Sequence, residues 1–392
     1  MKREAPLKYS FLILSWFCFG CSSKSPEQPA PAVSEPAELE WSSPEEWGPL
    51  GVGALTMEWV DSRGKEMVAE VWYPALVSEE DERDPYPPLG LAGDAVRYAE
   101  PDLNFGPYPL VAFSHGYGGI RFQSIYLTEF LASHGFVVVS SQHRYNTFLD
   151  LNDDRLLDIT VQRPADVIES VDELLRRVGD EEELTYGLVD GDEYAMVGHS
   201  FGALTSMMVG GGVLDVEGLV MRCSYGGGRL CGSLDVLTNE MLADHRMTDP
   251  RAVVTVPMAP GMWYAFGSDG ISAPGLQSVR HPLVLGGDAD GVLDYNQEIY
   301  PSFEYMSSPK VLVNFHDTGH YAFSNMCDLA PFFTSECDGV EGGWSDVAEI
   351  QRLSRTIVLA HIRGWMKGDE RDQAFTASEW LAGNMDVTVE AQ

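Results

Sequence analysis

The sequence predicts an α/β fold, in which a mostly parallel central sheet is covered by helices on both faces. Short segments that are apolar along both faces alternate with helical segments, as in buried parallel strands joined by helices. One such segment runs directly into a helix within Glu193–Leu204. The chain has 392 residues, 44% of them hydrophobic, which is enough to bury a sizeable core.

The N-terminus is expected to lie outside this fold. Basic residues precede an apolar run from Tyr9 to Gly20, which ends at Cys21. Twelve residues are too few to span a bilayer but suit an export signal. Residues 1–21 resemble a bacterial lipoprotein signal, which implies cleavage before Cys21 and lipidation of its thiol. The expected location is therefore the cell envelope, as an outer-membrane lipoprotein, with simple secretion as the alternative.

Composition divides the rest of the chain. Residues 22–49 are rich in Ser, Pro and Glu and are expected to form a disordered tether. Residues 50–392 are expected to form a single domain. The formal net charge of −35 argues against a nucleic-acid partner, because phosphates would repel the chain.

The first half of this domain predicts a hairpin followed by alternating strands and helices. A turn around Arg63–Gly64 joins the two hairpin strands, which would be antiparallel edge strands of the sheet. The expected elements, in order, are strands Val52–Val60, Glu66–Tyr73 and Tyr108–Ser114, helix Gln123–His134 and strand Phe136–Ser140.

The second half continues the alternation. Pro164 is expected to start a helix, since proline suits a first turn. An inserted excursion covers about residues 210–250. The later elements are strands Ala252–Met258, Pro282–Gly286 and Lys310–Phe315, and helix Ser345–Lys367. This order of elements is the layout of the α/β-hydrolase fold.

The strand-to-helix corner carries the motif Gly198-x-Ser200-x-Gly202. Small residues on either side of a tight corner leave the central residue strained, with its side chain projecting outward. Ser200 is therefore the candidate nucleophile, and it requires a base that is active near neutral pH.

The candidate base is His320. In this fold the nucleophile, the acid and the histidine follow one another along the chain. Of nine histidines, this order and the predicted elements leave His316 and His320, both beyond the strand that ends at Phe315. His316 follows the strand at once, whereas His320 lies in a loop long enough to reach Ser200.

The candidate acid follows strand Pro282–Gly286. Asp290 stands three residues past Gly287, the usual distance in such hydrolases, and Asp288 is the alternative. The acid orients the imidazole and stabilises the imidazolium. A calcium loop is disfavoured, since the carboxylates lack the regular ligand spacing.

The oxyanion of an acyl-transfer intermediate requires two fixed N–H donors. One expected donor is the amide of Phe201, at the start of the helix. The other lies in the glycine-rich loop after strand Tyr108–Ser114, at Tyr117.

These residues resemble a known group. The segments that carry the resemblance are His115–Gly116–Tyr117–Gly118–Gly119, Ser140–Arg144, Arg163–Asp166 and Gly198–Gly202. They are similar to platelet-activating-factor acetylhydrolase-like esterases and to the related dienelactone and polyester hydrolases. The resemblance implies an esterase with Ser200, Asp290 and His320 as the triad, and with Tyr117 and Phe201 as oxyanion donors.

Aromatic residues near the nucleophile are expected to line a substrate cleft. They are Tyr117, Trp263 and Phe323. With no long apolar lid in the sequence, they favour short acyl chains in a small-molecule ester. A lipase or polyester hydrolase is the alternative enzyme, and a catalytically silent binding lipoprotein is the alternative of another class. No cofactor and no metal are expected.

Four cysteines lie beyond the signal and are expected to form two disulfides, as in exported proteins. The simplest pairs are Cys223–Cys231 and Cys327–Cys337. No CxxC pair accompanies these four cysteines, which disfavours a zinc site.

Replacing the candidate lipidation site tests the N-terminal interpretation. Cys21→Ala is expected to release the protein from membranes or to block its processing, because the acyl anchor requires the thiol. Membrane fractionation of both forms measures this. A variant that still fractionates with the membrane like the wild type would contradict lipidation.

Overall fold

Ten strands form one sheet in the described part of the chain. The structure, a computed structural model, describes residues 39–83, 86, 90–224, 246–267, 271–376, 380 and 387–392. The strands are β1 (Gly51–Val60), β2 (Glu66–Ala75), β3 (Val96–Arg97), β4 (Tyr108–Ser114), β5 (Val137–Ser141), β6 (Val189–His199), β7 (Ala252–Met258), β8 (Leu283–Gly287), β9 (Val311–Phe315) and β10 (Val387–Ala391). Their spatial order is β10-β9-β8-β7-β6-β4-β5-β2-β1-β3.

The central strands, from β5 to β9 in this order, pair in parallel. The β1–β2 hairpin is antiparallel, as predicted, and β2 pairs antiparallel with β5. At the other edge, β10 pairs antiparallel with β9, and no sequence pattern had indicated this strand. Strand β6 lies between β4 and β7, so its carboxyl end is close to the centre of the sheet.

Helices cover both faces of the sheet. They are α1 (Ile125–Ser133), α2 (Leu156–Val178), α3 (Phe201–Val209), α4 (Val216–Ser224), α5 (Tyr300–Glu304), α6 (Met326–Leu329) and α7 (Val347–Met366). None of the helices in the described ranges is long and apolar enough to cross a membrane.

Alternate residues of one strand enter opposite halves of the core. Val111 and Phe113 of β4 pack with residues of α1 and α7, whereas Leu110 and Ala112 pack with residues of α2. This period of two, with both faces apolar, is the physical reason that the buried strands could be read from the sequence.

The structure corrects the prediction that Pro164 starts a helix. The helix begins at Leu156, and Pro164 lies inside it. Leu156, Leu157 and Ile159 are buried against a cluster that includes Phe201. Burial of these side chains offsets the cost of a proline within the helix, which removes one backbone hydrogen bond.

The structure also corrects part of the prediction that residues 22–49 form a disordered tether. Residues 39–49 pack on the domain, and residues 22–38 lie outside the described residues. Trp47 contacts the ring of Phe130 edge-on at 5.7 Å, and the carbonyl of Pro44 accepts a hydrogen bond from Thr356. The carbonyl of Ser42 accepts one from Arg363 at 2.9 Å. This polar segment is ordered by buried partners on α1 and α7, which composition could not reveal.

The predicted excursion at 210–250 contains α4. Its residues 225–245 lie outside the described part of the chain.

Candidate active site

Ser200 is the single residue between β6 and α3. Its backbone has φ 58° and ψ −118°, in the region that residues with a side chain rarely adopt. Its amide donates a hydrogen bond to the carbonyl of Met258, at the end of β7, over 2.9 Å. The neighbouring strand therefore helps to fix the strained residue, as expected at a nucleophile elbow.

Steric exclusion explains the two glycines of the motif. A Cβ atom on Gly198 would lie 2.0 Å from the carbonyl oxygen of Gly202, and one on Gly202 would lie 1.9 Å from the carbonyl oxygen of Ser114. Both obstacles are backbone atoms, which cannot turn aside. The elbow consequently requires glycine at both positions.

The structure brings Ser200, His320 and Asp290 together. The hydroxyl of Ser200 lies 2.8 Å from Nε2 of His320, and Nδ1 of His320 lies 2.7 Å from a carboxylate oxygen of Asp290. The His320 side chain is only 3% exposed and that of Asp290 is fully buried. The other Asp290 oxygen accepts from the amides of Val292 and Leu293, at 2.8 and 2.7 Å, which fixes the carboxylate.

The two rejected candidates form a second histidine–aspartate pair. Nδ1 of His316 lies 2.6 Å from Asp288, and Nε2 lies 3.1 Å from the hydroxyl of Thr388 on β10. The side chains of His316 and Asp288 are each about a third exposed. The hydroxyl of Ser200 bonds to His320 and not to His316, so the geometry distinguishes the two pairs.

His199 and Gln123 hold the backbone of His320, the candidate base. The backbone carbonyl of His320 accepts a hydrogen bond from Nε2 of His199 at 3.0 Å. The Nδ1 atom of His199 accepts from the side-chain amide of Gln123, whose oxygen accepts from the amide of Gly116. Burial, together with the charge of His320, lowers the pKa of His199 to about 3. His199 is therefore a neutral spacer, and no sequence pattern had indicated Gln123.

The two expected oxyanion donors lie on either side of this elbow. Phe201 is the first residue of α3, where a backbone amide has no acceptor within its own helix. Tyr117 lies in the loop between β4 and α1, with its ring 6.3 Å from that of Phe201. Its hydroxyl donates to the carboxylate of Asp153. The loop is further held by a bond from the amide of Gly118 to the carbonyl of Asn146.

Arg163 anchors the same loop from within the core. Its guanidinium donates to the carbonyl of His115, to the hydroxyl of Ser114 at 3.0 Å and to the side chain of Asn146. A further bond of 3.0 Å reaches Thr205 of α3. Burial lowers the pKa of Arg163 to about 9. The side chain thus joins the loop to the helix that follows Ser200.

The other segments of the resemblance complete this network. The hydroxyl of Ser114 donates to Nε2 of His143 at 2.9 Å, and Nδ1 of His143 lies 3.2 Å from Asp166. Asp166 also pairs with Lys65 at 2.6 Å. Burial and the charge of Arg163 hold the pKa of His143 well below its usual value. Three motifs that are separate in sequence therefore form one buried polar network beneath the loop.

The expected cleft residues separate into two groups. Trp263 is half-buried, stacks on Tyr305 at 5.4 Å and packs with Tyr117 on the cluster that contains Phe201. Phe323 is fully buried between Phe315 and His199. We therefore assign Phe323 to the core and not to a cleft wall. Its position three residues past His320 had suggested the cleft, but the ring points into the sheet core.

The predicted Cys327–Cys337 disulfide is present, with a Cα–Cα distance of 5.1 Å. Of the other predicted pair, Cys231 and the side chain of Cys223 lie outside the described residues. The predicted lipidation site at Cys21 also lies outside them.

Comparison with known proteins gives two findings. The profile of the family "platelet-activating factor acetylhydrolase, isoform II" matches residues 97–149, which include the glycine-rich loop and α1. The structure is similar to that of a ferulic acid esterase from Streptomyces cinnamoneus, with a TM-score of 0.59 and 18% sequence identity. That similarity covers 91% of this chain and 98% of the esterase. A search of curated sequences found no match.

These findings confirm the α/β-hydrolase fold and the predicted likeness to the acetylhydrolase-like esterases. The family match also supports the prediction of a carboxylic ester hydrolase. The sequence match is confined to 53 residues, so the roles of individual site residues rest on the geometry described above.

A methyl group at the elbow tests the steric argument. Gly202→Ala is expected to lower the free energy of unfolding by about 3 kcal/mol, because the added Cβ meets backbone that cannot yield. Gly179→Ala is the control, since its Cβ would lie no closer than 3.5 Å to any neighbour. Denaturant unfolding of both variants measures the difference. Equal losses of unfolding free energy in the two variants would contradict the steric argument for Gly202.

Proposed function

We propose that this protein is an exported serine hydrolase that cleaves carboxylic esters through an acyl-enzyme. The observation that carries the proposal is the chain of two hydrogen bonds from Ser200 through His320 to Asp290, at 2.8 and 2.7 Å. A hydroxyl, an imidazole and a buried carboxylate in this order form the arrangement that activates serine as a nucleophile.

The first half of the reaction acylates Ser200. Nε2 of His320 removes the hydroxyl proton while Oγ attacks the ester carbonyl. The resulting oxyanion would accept hydrogen bonds from the amides of Phe201 and Tyr117. His320 then returns the proton to the departing alcohol, and the carbon–oxygen bond to that alcohol breaks.

The second half releases the acid. Water takes the place of the alcohol and gives a proton to His320 as it attacks the acyl carbon. His320 then returns this proton to Oγ of Ser200 as the bond between Oγ and the acyl carbon breaks. Asp290 stays ionised throughout. Its bond to Nδ1 fixes the tautomer that leaves Nε2 free to accept, and its charge stabilises the imidazolium in both halves.

The preferred substrate class is a short-chain acyl ester. Tyr117 and Trp263 pack on the cluster that contains Phe201, and they supply apolar area beside the nucleophile for a compact acyl or aromatic group. One similar solved structure is that of a ferulic acid esterase, and ferulic acid is itself a compact aromatic acid.

One observation favours the alternative of a lipase or polyester hydrolase. Phe332 is 99% exposed, and its neighbour Phe333 contacts Tyr321, the residue after the base, edge-on at 5.3 Å. An exposed phenylalanine close to the site could contact an aggregated or polymeric ester.

Export and lipid anchoring at Cys21 form part of the proposal. The Cys327–Cys337 disulfide supports an oxidising compartment, since such bonds are rare in the cytosol. The packing of residues 39–49 on the domain leaves residues 22–38 as the proposed link to the anchor.

Removal of the nucleophile tests the enzyme against the silent binding lipoprotein. Ser200→Ala is expected to lower ester hydrolysis on the order of 10³-fold or more while the fold persists, because no other hydroxyl replaces Oγ. Turnover of a nitrophenyl ester and labelling by a fluorophosphonate probe measure the loss. An unlabelled, inactive wild type would favour the silent protein.

The two histidine–aspartate pairs provide a matched control for the same assay. His320→Ala is expected to match Ser200→Ala, whereas His316→Ala should retain most of the activity, because its partner is Asp288. The reverse result would move the base to His316.

A chain-length series tests the substrate class. Nitrophenyl esters from about two to sixteen carbons are expected to react fastest at the short end, since the sequence has no long apolar lid and the aromatic residues suit a compact acyl group. Initial rates below and above substrate solubility measure this. Rates that rise toward the long chains, with activation at an emulsion surface, would favour the lipase.

A further inference from the structure

A second buried acid lies behind the base. Glu336 belongs to the 3₁₀ segment Ser335–Gly342, and it is 6% exposed. One of its carboxylate oxygens accepts a hydrogen bond from the backbone amide of Tyr321 at 2.8 Å. The amide of His320 also donates toward this carboxylate. The acid therefore binds the backbone of the turn that carries the base.

The carboxylate of Glu336 packs closely against Gly319. A Cβ on Gly319, the residue before His320, would lie 2.2 Å from the carboxyl carbon of Glu336. Glycine at this position is what allows the carboxylate to approach the turn. The glycine before the base therefore has a specific packing partner, which its place in sequence did not indicate.

The disulfide lies next to this acid. Cys337 follows Glu336 directly, and its partner Cys327 belongs to α6, which begins three residues after the turn His320–Phe323 ends. The ring of Phe333 packs against that of Tyr321 at 5.3 Å. The disulfide, just after Glu336, and this ring contact, just before it, thus connect the segment of Glu336 to the segment of His320 at two points.

The charge of Glu336 adds to the effect of its position. The groups around His320 are Asp290 on its Nδ1, the neutral ring of His199 at 4.9 Å, the Tyr321 side chain, and Glu336. Burial raises the pKa of Glu336, although the amides of Tyr321 and His320 and the charge of His320 oppose the rise. When it is ionised, Glu336 favours the imidazolium, which forms in both halves of the reaction.

We propose that Glu336 is a positioning residue for His320, held in place by the Cys327–Cys337 disulfide, and that its charge supports the imidazolium alongside Asp290. The inference rests on the proposed function. It assigns the disulfide a role in the geometry of the base besides its contribution to stability.

The test is the pH dependence of kcat/KM for 4-nitrophenyl acetate with the full chain. Glu336→Gln keeps an acceptor for the Tyr321 amide but removes the charge, so the acid limb is expected to move to lower pH by about half a unit or more. KM should change little. Glu336→Asp, which keeps the charge, should restore the limb toward its wild-type position.

Glu341→Gln is the matched control, because Glu341 is an exposed acid of the same 3₁₀ segment. An unshifted limb in Glu336→Gln, or an equal shift in Glu341→Gln, would overturn the inference while leaving the proposed function intact. Absence of any Ser200-dependent hydrolysis by the wild type would overturn the proposed function, and the inference with it.

The role of the disulfide is tested by replacing Cys327 and Cys337 together by serine. Loss of the link is expected to lower kcat about tenfold with KM little changed, because a displaced base loses its alignment with Ser200. Unfolding curves confirm that the protein is folded at the assay temperature. A folded variant with wild-type kcat would overturn the role of the disulfide.

Discussion

The strained backbone of Ser200 is the constraint on which the site depends. A positive φ at a residue with a side chain costs free energy of order 1–3 kcal/mol, so the surroundings must impose it. They do so through contacts that allow no side chain at Gly198 or Gly202 and through the bond from Ser200 to Met258 on the next strand. The central place of β6 in the sheet supplies these neighbours on both sides. As a result, the hydroxyl projects from the carboxyl edge of the sheet, where the loops after β8 and β9 also begin.

Buried polar groups fix those loops. Arg163 contacts the loop after β4 and the helix after Ser200 at once. Its burial is tolerated because its guanidinium donates hydrogen bonds to four oxygens and lies over the ring of Phe201. Gln123 and His199 perform a similar task between that loop and the backbone of His320. Such networks are costly if any member is lost, since the partner is then left buried and unsatisfied. The geometry of the site therefore depends on residues that would not touch the substrate.

Carboxylates at this edge differ in role because they differ in environment. Asp288 and Asp290 are two residues apart, yet Asp290 is buried and bound by the amides of its own turn, whereas Asp288 is partly exposed and pairs with His316. Glu336 approaches His320 from a third direction, through the backbone amides of its turn. A buried carboxylate acts on a neighbouring charge more strongly than an exposed one, which solvent screens. Burial, more than residue type, thus separates the groups that can influence His320 from those that cannot.

Sequence patterns predicted the parallel sheet, most strand positions and the candidate residues Ser200, Asp290 and His320. They could do so because period-two burial, small residues at a tight corner and the order of loops along the chain are local or topological signals. It also indicated the Cys327–Cys337 pair, whose residues are near in sequence. The folded structure was needed to find the start of α2, the packing of residues 39–49, strand β10, the burial of Phe323 and the places of Gln123 and Glu336. Each of these depends on partners far away in the chain, and the free energy of burying a side chain or satisfying a buried amide is set by those partners and not by the residue's own neighbours in sequence.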